Sequence, residues 1–386
     1  MSTHRIPARW RLADHTISRE DLAALADWLG SDPWLAQGKL VADLERRWSE
    51  RIGVRGSVMV NSGSSANLAA LVAAGRAKPG RLRVGAPAVT WATTISPALL
   101  LGHEVVLFDV DRTTLGIDSA AACAAMERGE IDVLFVVHLL GLNALTPDLV
   151  ATAARHGVIL LEDCCEAAGT RFAGAHVGTA GLAGTFSFYF GHHVATVEGG
   201  MVSSDDPEVL DGLRLLRSHG LARESEHFDR FAADHPDVDP RFLFMVPGLN
   251  LRSTDLNALL GLRQLDRLDG TIRRRNANLA HFLRVLPPYL WRDYATEGAS
   301  SFTLPLIAED ADGARRARSA AERLGIEARP IVAGNLLAQP FVRTSDRVRA
   351  AAPTPVADHV HRHGFYIGNG PHVTAEMLDA LGAALG

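Results

Sequence analysis

The sequence predicts an α/β protein built on a mostly parallel sheet, and two observations carry that prediction. Short, almost continuously apolar runs occur at Val84–Val89, Glu104–Val110, Asp132–Leu140 and Gly157–Asp163, each bounded by Gly, Pro or Asp. Such runs suit strands buried on both faces. Stretches of helical spacing separate several of them, such as Ser119–Arg128 and Pro147–Arg155. Strands alternating with helices are the pattern of a parallel sheet covered by helices.

Taken in order, the chain begins with helices over Ser18–Leu29 and residues 40–52. Leu22, Leu25, Ala26 and Leu29 recur at helical spacing, and Ser18 caps the first helix. Ser57–Val60 reads as a strand, followed by a helix with Leu68, Leu71, Val72 and Gly75 on one face. Two further strands, Thr185–Phe190 and Gly200–Asp206, flank a polar turn that carries His192 and His193. Ala222–Pro240, polar and rich in His and Asp, reads as a mobile loop. A helix starts near Ser253–Thr254 and runs past Leu268, with Leu256, Leu259 and Leu260 among its apolar positions. The tail offers a strand-like Ser300–Ile307 and a helix over Ala311–Leu324, a smaller α+β unit. The expected division is a large α/β domain over residues 1–265 and a small domain over 266–386. A chain of 386 residues is long enough for both.

Composition excludes several classes of function. Apolar residues make up 47% and charged residues 22%, the balance of an ordinary globular chain rather than a fibrous or disordered one. Lys plus Arg is 39 against 44 Asp plus Glu, a net charge of −5, so no basic surplus points to nucleic acid. The most apolar stretch, Val133–Leu142, is too short to span a bilayer and contains His138. The N-terminal MSTHRIPARWRLADH lacks the apolar core of a signal peptide. Three cysteines, Cys123, Cys164 and Cys165, supply neither a disulfide framework nor a metal-binding C-x-x-C. The expectation is a cytoplasmic protein without membrane, nucleic acid or metal partners.

Three segments carry chemistry. Asn61–Asn67 (NSGSSAN) is a small-residue turn between a strand and a helix. Backbone N–H groups at such a helix start can hold a phosphate, with the Ser hydroxyls adding bonds. The other reading is a capped turn, since Ser and Gly favour helix starts in any case. Gly157–Asp163 is an apolar strand ending in a carboxylate, at the sheet edge where open α/β folds bind ligands. Asp163 there is either a partner for a protonated ring nitrogen or a cap for the next helix. The third segment, Thr185–Asp206, places paired histidines between an aromatic strand and a Glu198-Gly199-Gly200 turn.

With these residues in view, the chain resembles the DegT/StrS-type sugar aminotransferases, pyridoxal-phosphate (PLP) enzymes of fold type I. The likeness runs through NSGSSANL, PAVTW, LLEDCCEA, FSFYFGHH with its EGGMVSSDD, GLNLRSTDLNALLGLRQL and IEARPIVAGN. It implies that Asp163 pairs with the pyridinium nitrogen and Trp91 stacks on the ring. Gly63, Ser64, Ser65 and Ser187 would hold the cofactor phosphate. Asn250 would reach that phosphate from the neighbouring subunit of a homodimer, and Glu166 would lie near the ring hydroxyl. Arg329 would bind a carboxylate or substrate phosphate, or serve as an ordinary surface residue.

One position departs from the family. The lysine that binds PLP covalently stands five residues after the strand serine, and this chain has His192 there. Only two lysines exist, Lys39 and Lys78, and none follows residue 78. The departure resembles the branch of 3-dehydratases acting on 4-keto-6-deoxy nucleotide sugars, with a GDP-linked 4-keto-6-deoxymannose as the favoured substrate. Such an enzyme would bind PLP or pyridoxamine phosphate (PMP) non-covalently, take L-glutamate as amino donor and use His192 as general base. An iron–sulfur route is not expected, because a cluster takes about four thiolates. Two other readings stand: an aminotransferase lacking the lysine, and a non-catalytic regulatory relative.

Overall fold

The structure, a computed structural model, describes residues 10–13 and 16–386. Most of the N-terminal stretch read above for a targeting signal therefore lies outside the described residues. Five strands come first: β1 (Gly56–Val60), β2 (Arg83–Pro87), β3 (Glu104–Phe108), β4 (Val133–Val137) and β5 (Ile159–Asp163). A two-stranded hairpin, β6 (Arg171–Phe172) and β7 (Ala175–His176), follows. Then come β8 (Ala183–Ser187), β9 (Gly200–Ser204), β10 (Thr303–Ile307), β11 (Ala328–Arg329), β12 (Val348–Ala350) and β13 (Gly364–Gly368).

The main sheet has eight strands in the order β1-β9-β8-β5-β4-β2-β3-β12. β9 alone runs against the others, pairing antiparallel with both β1 and β8. The apolar runs seen in the sequence are the central strands, and β4 is buried at every position. On one side of the sheet, helices Gly63–Ala77, Ala92–Leu100 and Pro207–Arg217 pack with an apolar cluster that includes Val60, Leu71, Val84 and Phe135. On the other side Leu134, Val136, Met126 and Leu149 join the sheet to helices Ser119–Glu127 and Pro147–His156.

β10, β13 and β11 form a separate three-stranded antiparallel sheet. Its own apolar cluster contains Leu279, Phe282, Leu304, Phe365, Ile367 and Leu381. Trp10 joins that cluster and donates from Nε1 to the Gly368 carbonyl at 2.9 Å. The C-terminal part of the chain also returns to the large sheet, since β12 pairs parallel with β3 at its edge.

Several elements differ from expectation. The helix predicted from Ser253 past Leu268 is two helices, Asp255–Leu265 and Leu268–Val285. The Leu pattern continues through the break, so periodicity alone gives no sign of it. The strand expected over Thr185–Phe190 ends at Ser187. The polar stretch Ala222–Pro240 carries a short helix at Phe228–Asp234. The Ser18 cap is present, with Ser18 and Asp21 closing a reciprocal capping box.

Candidate active site

The carboxyl ends of β1, β5 and β8 meet the start of β9 at one edge of the sheet, and an open cleft of about 760 Å³ lies there. Gly200 explains how these ends come so close. It is the register partner of both Val60 and Ser187. A Cβ on Gly200 would stand 2.3 Å from the Ser62 carbonyl oxygen, and one on Gly63 would stand 2.7 Å from the Ser187 Cβ. Both glycines are thus required by close backbone approach.

The turn after β1 starts the helix Gly63–Ala77 with Ser62 as its cap, the Ser62 Oγ accepting from the Ser65 N–H at 3.1 Å. The Ser65 hydroxyl donates to Asn61 Oδ1 at 2.6 Å, and the Ser64 hydroxyl donates to Thr93 Oγ1 at 3.0 Å. Gly63, Ser64 and Ser187 line the cleft, whereas Ser65 is outside its lining, its hydroxyl bonded to Asn61. The turn is capped, and Gly63 and Ser64 also line the cleft. Trp91 stands at the N-cap position of the helix Ala92–Leu100, without a side-chain cap bond, and is 58% exposed at the cleft wall.

Asp163 ends β5 and is buried. Its Oδ2 accepts from Asn67 Nδ2 at 2.8 Å and from the Thr94 hydroxyl at 2.8 Å, while Oδ1 accepts from the Cys165 N–H at 3.1 Å. Asn67 is held in turn by the Thr185 hydroxyl, which donates to its Oδ1 at 2.6 Å. The carboxylate is thereby fixed in a dry setting with one face toward the cleft. Asn67 and Thr94 carry no role in the sequence reading. Their signal is weak: one polar residue inside an otherwise small and apolar helix, and one Thr in a pair.

His192 lines the cleft after the end of β8. Its Nδ1 lies 2.8 Å from the Cys165 carbonyl oxygen, an acceptor only, so Nδ1 carries the hydrogen and Nε2 keeps its lone pair. Phe302 packs edge-on against the ring, with centroids 4.9 Å apart. Burial pushes the imidazole down to about 4, partly offset by the Cys165 carbonyl bond. His193 behaves differently. It is buried away from the cleft with Nε2 3.0 Å from the Ser300 hydroxyl, and burial lowers it well below the usual range. The histidine turn is tied to the helix Asp255–Leu265. Asn257 Nδ2 donates to the Thr196 carbonyl at 2.5 Å and the Glu198 carbonyl at 3.1 Å. Gln264 exchanges bonds with the Ala195 backbone.

Glu166 also faces the cleft. Burial raises its carboxyl to about 7, although Oε2 accepts from the Leu140 N–H at 2.8 Å. Leu140 sits in the left-handed region, φ 54°, which aims that N–H at the acid. Arg329 lies on the far wall beside Glu327, with Nη2 3.4 Å from Oε1. Asn250 is exposed and outside this cleft, its Oδ1 accepting from Arg252 Nε at 3.0 Å. Neither lysine lines the cleft: Lys39 starts the helix Lys39–Ile52, and Lys78 pairs with Asp132 at 2.9 Å.

Comparison with known proteins places this arrangement. The profile of the DegT/DnrJ/EryC1/StrS aminotransferase family matches residues 15–386, and the chain belongs to that family. Among curated relatives, it is 33% identical over 388 residues to the GDP-4-keto-6-deoxy-D-mannose 3-dehydratase of Yersinia pseudotuberculosis, covering 98% of each chain. Among solved structures, it is similar to the E. coli GDP-4-keto-6-deoxy-D-mannose-3-dehydratase with bound hydrated PLP. The TM-score is 0.91 at 29% identity, over 98% of this chain and 100% of that one. A GDP-4-keto-6-deoxymannose-3-dehydratase with a trapped PLP-glutamate geminal diamine gives a TM-score of 0.89 at 28% identity, over 98% and 100% of the two chains. Among the described residues, no helix is long and apolar enough to cross a membrane.

Proposed function

We propose that the chain is a PMP-dependent 3-dehydratase of a 4-keto-6-deoxy nucleotide sugar, GDP-4-keto-6-deoxymannose by its likeness to the relatives above. The observation that carries this reading is a histidine, its Nδ1 fixed by the Cys165 carbonyl, in a cleft that no lysine lines. The residues present fit a vitamin B6 phosphate. Asp163, buried and aimed by Asn67 and Thr94, is suited to a protonated ring nitrogen. Trp91 offers an exposed indole face. Gly63, Ser64, Ser65 and Ser187 offer a small-residue helix start for the phosphate, with Asn250 of a second copy reaching it from across a dimer. Glu166 would lie near the ring hydroxyl, and Arg329 would meet a carboxylate or substrate phosphate from the far wall. When bound, the cofactor supplies an amine for the 4-keto carbon and a sink for electrons.

His192 then does the proton work. With Nδ1–H held by the Cys165 carbonyl, Nε2 is the only ring atom that can take a proton. Burial disfavours the imidazolium, so the proton gained is readily handed on to a departing C3 hydroxyl. A lysine amine could be linked covalently to the cofactor, whereas imidazole leaves it held by contacts alone. L-Glutamate serves as the amino donor in this reading, in line with the glutamate adduct named in the solved relative. The homodimer and the cytoplasmic setting expected from the sequence belong to the same proposal.

The test is product analysis. Purified protein, PLP, L-glutamate and the GDP-linked 4-keto sugar should yield ammonia and a 3-deoxy-4-keto sugar. A 4-amino sugar as main product would establish the aminotransferase reading instead, and absence of cofactor binding would establish the regulatory one.

A further inference from the structure

Arg275 lies on the helix Leu268–Val285 and is 3% exposed. It makes no ion pair among the described residues, and burial alone sets its behaviour, lowering it to about 10. Its Nη1 donates to the Phe302 carbonyl at 3.3 Å, and its Nε has no partner. A buried guanidinium without a carboxylate is costly and is usually replaced or paired. Its position gives it a use. The guanidinium carbon lies 6.0 Å from the Phe302 ring centroid. The same ring contacts His192 at 4.9 Å and His193 at 6.0 Å. Phe302 is therefore the shared neighbour of an unpaired cation and the histidine at the cleft.

The other charged groups around His192 do not replace this effect. Asp163, at the end of β5, favours the imidazolium. Glu166, raised to about 7, holds only part of its charge near neutrality. Tyr189 and His193 flank it on its own turn, and Arg275 lowers His193 as well. Glu198, Glu327, Arg329 and Tyr366 line the wider cleft, where Arg329 is 64% exposed and stands beside Glu327. A charge there is screened by water, while one inside a dry wall acts at longer range.

We propose that Arg275, packed against the same Phe302 ring as His192, is a positioning residue that holds His192 neutral, so that Nε2 can act as a base. This rests on the reading of His192 as the base, and the test keeps the two apart by following the imidazole proton directly. Full-length holoenzyme carrying ¹³C-labelled histidine is titrated by NMR, with His192→Asn used to assign the signal. Arg275→Met should raise the His192 midpoint by at least roughly half a unit, the effect of removing one buried charge at this range. Arg275→Lys, which keeps the charge, should leave it nearer the wild-type value. No rise in Arg275→Met, or an equal rise in Arg275→Lys, overturns the proposal. Should the Met variant fail to fold, the wild type decides: a midpoint at or above about 6.5, the ordinary histidine value, overturns it too. The acid limb of the dehydration rate should move with the NMR midpoint. A midpoint that moves while the limb stays would sustain the charge effect and remove His192 as the base.

Discussion

At the scale of single residues, the two adjacent histidines differ because one hydrogen bond fixes each. His192 is locked by the Cys165 carbonyl with Nε2 toward the cleft, and His193 is turned to Ser300 inside the core. His192→Asn keeps the polarity and loses the base, so dehydration should fall by roughly 10²–10⁴-fold with cofactor binding retained. His193→Asn should keep activity and lose stability, about 1–3 kcal/mol for a disturbed buried bond. The reverse pattern would show that the wrong histidine has been chosen. The pH profile adds a sign. A base works deprotonated, and this one is lowered to about 4. The rate should therefore persist below the usual histidine range and fall as pH drops through that value, with circular dichroism at each pH checking that the fold survives. His192 was legible in the sequence because a residue type stood where the family has another. Asn67 and Thr94 were not, because their work depends on meeting Asp163 across 96 and 69 residues of chain, a closeness that no local pattern announces.

At the scale of elements, the parallel strands were legible because burial on both faces removes alternation and leaves apolar runs. β12 was not, since Val348–Ala350 is a three-residue edge strand, half-buried to exposed, with no apolar run to mark it. The break at Asp266–Arg267 was hidden because Leu265 and Leu268 are both buried, so the apolar pattern crosses it unchanged. The Glu198-Gly199-Gly200 turn read as a family mark, and the structure gives its physical cause in the space that Ser62 and Thr196 occupy. That turn is held by Asn257, whose amide serves two carbonyls. Asn257→Ala leaves Thr196 and Glu198 without that donor. It should lower stability by about 1–3 kcal/mol, read from the denaturant midpoint. It should also weaken cofactor binding, because Gly200 packs on the Ser62–Gly63 turn. Lost stability with unchanged cofactor affinity would mean that Gln264 alone positions the loop.

At the scale of the whole molecule, we propose a division near residue 265, with β12 reaching back from the C-terminal part to the edge of the large sheet. One predicted contact then remains outside a single chain. Asn250 does not line the cleft of its own subunit, and Phe242, Phe244 and Leu249 beside it are large apolar residues left exposed. We propose that a second copy covers that face and that Asn250 reaches the partner's cleft. The consequence is arithmetic. Combine Asn250→Ala subunits with His192→Asn subunits under conditions that allow exchange. In a mixed dimer with shared sites, one site holds both lesions and the other holds neither. Each parent dimer carries a lesion in every site. Activity in the mixture should therefore rise above that of either parent, toward one intact site per mixed dimer. If each site is built from one chain, both sites of the mixed dimer stay damaged and activity remains the average of the parents. Exchange is verified by a mass tag on one parent, so that a flat result with demonstrated mixed dimers counts against a shared site.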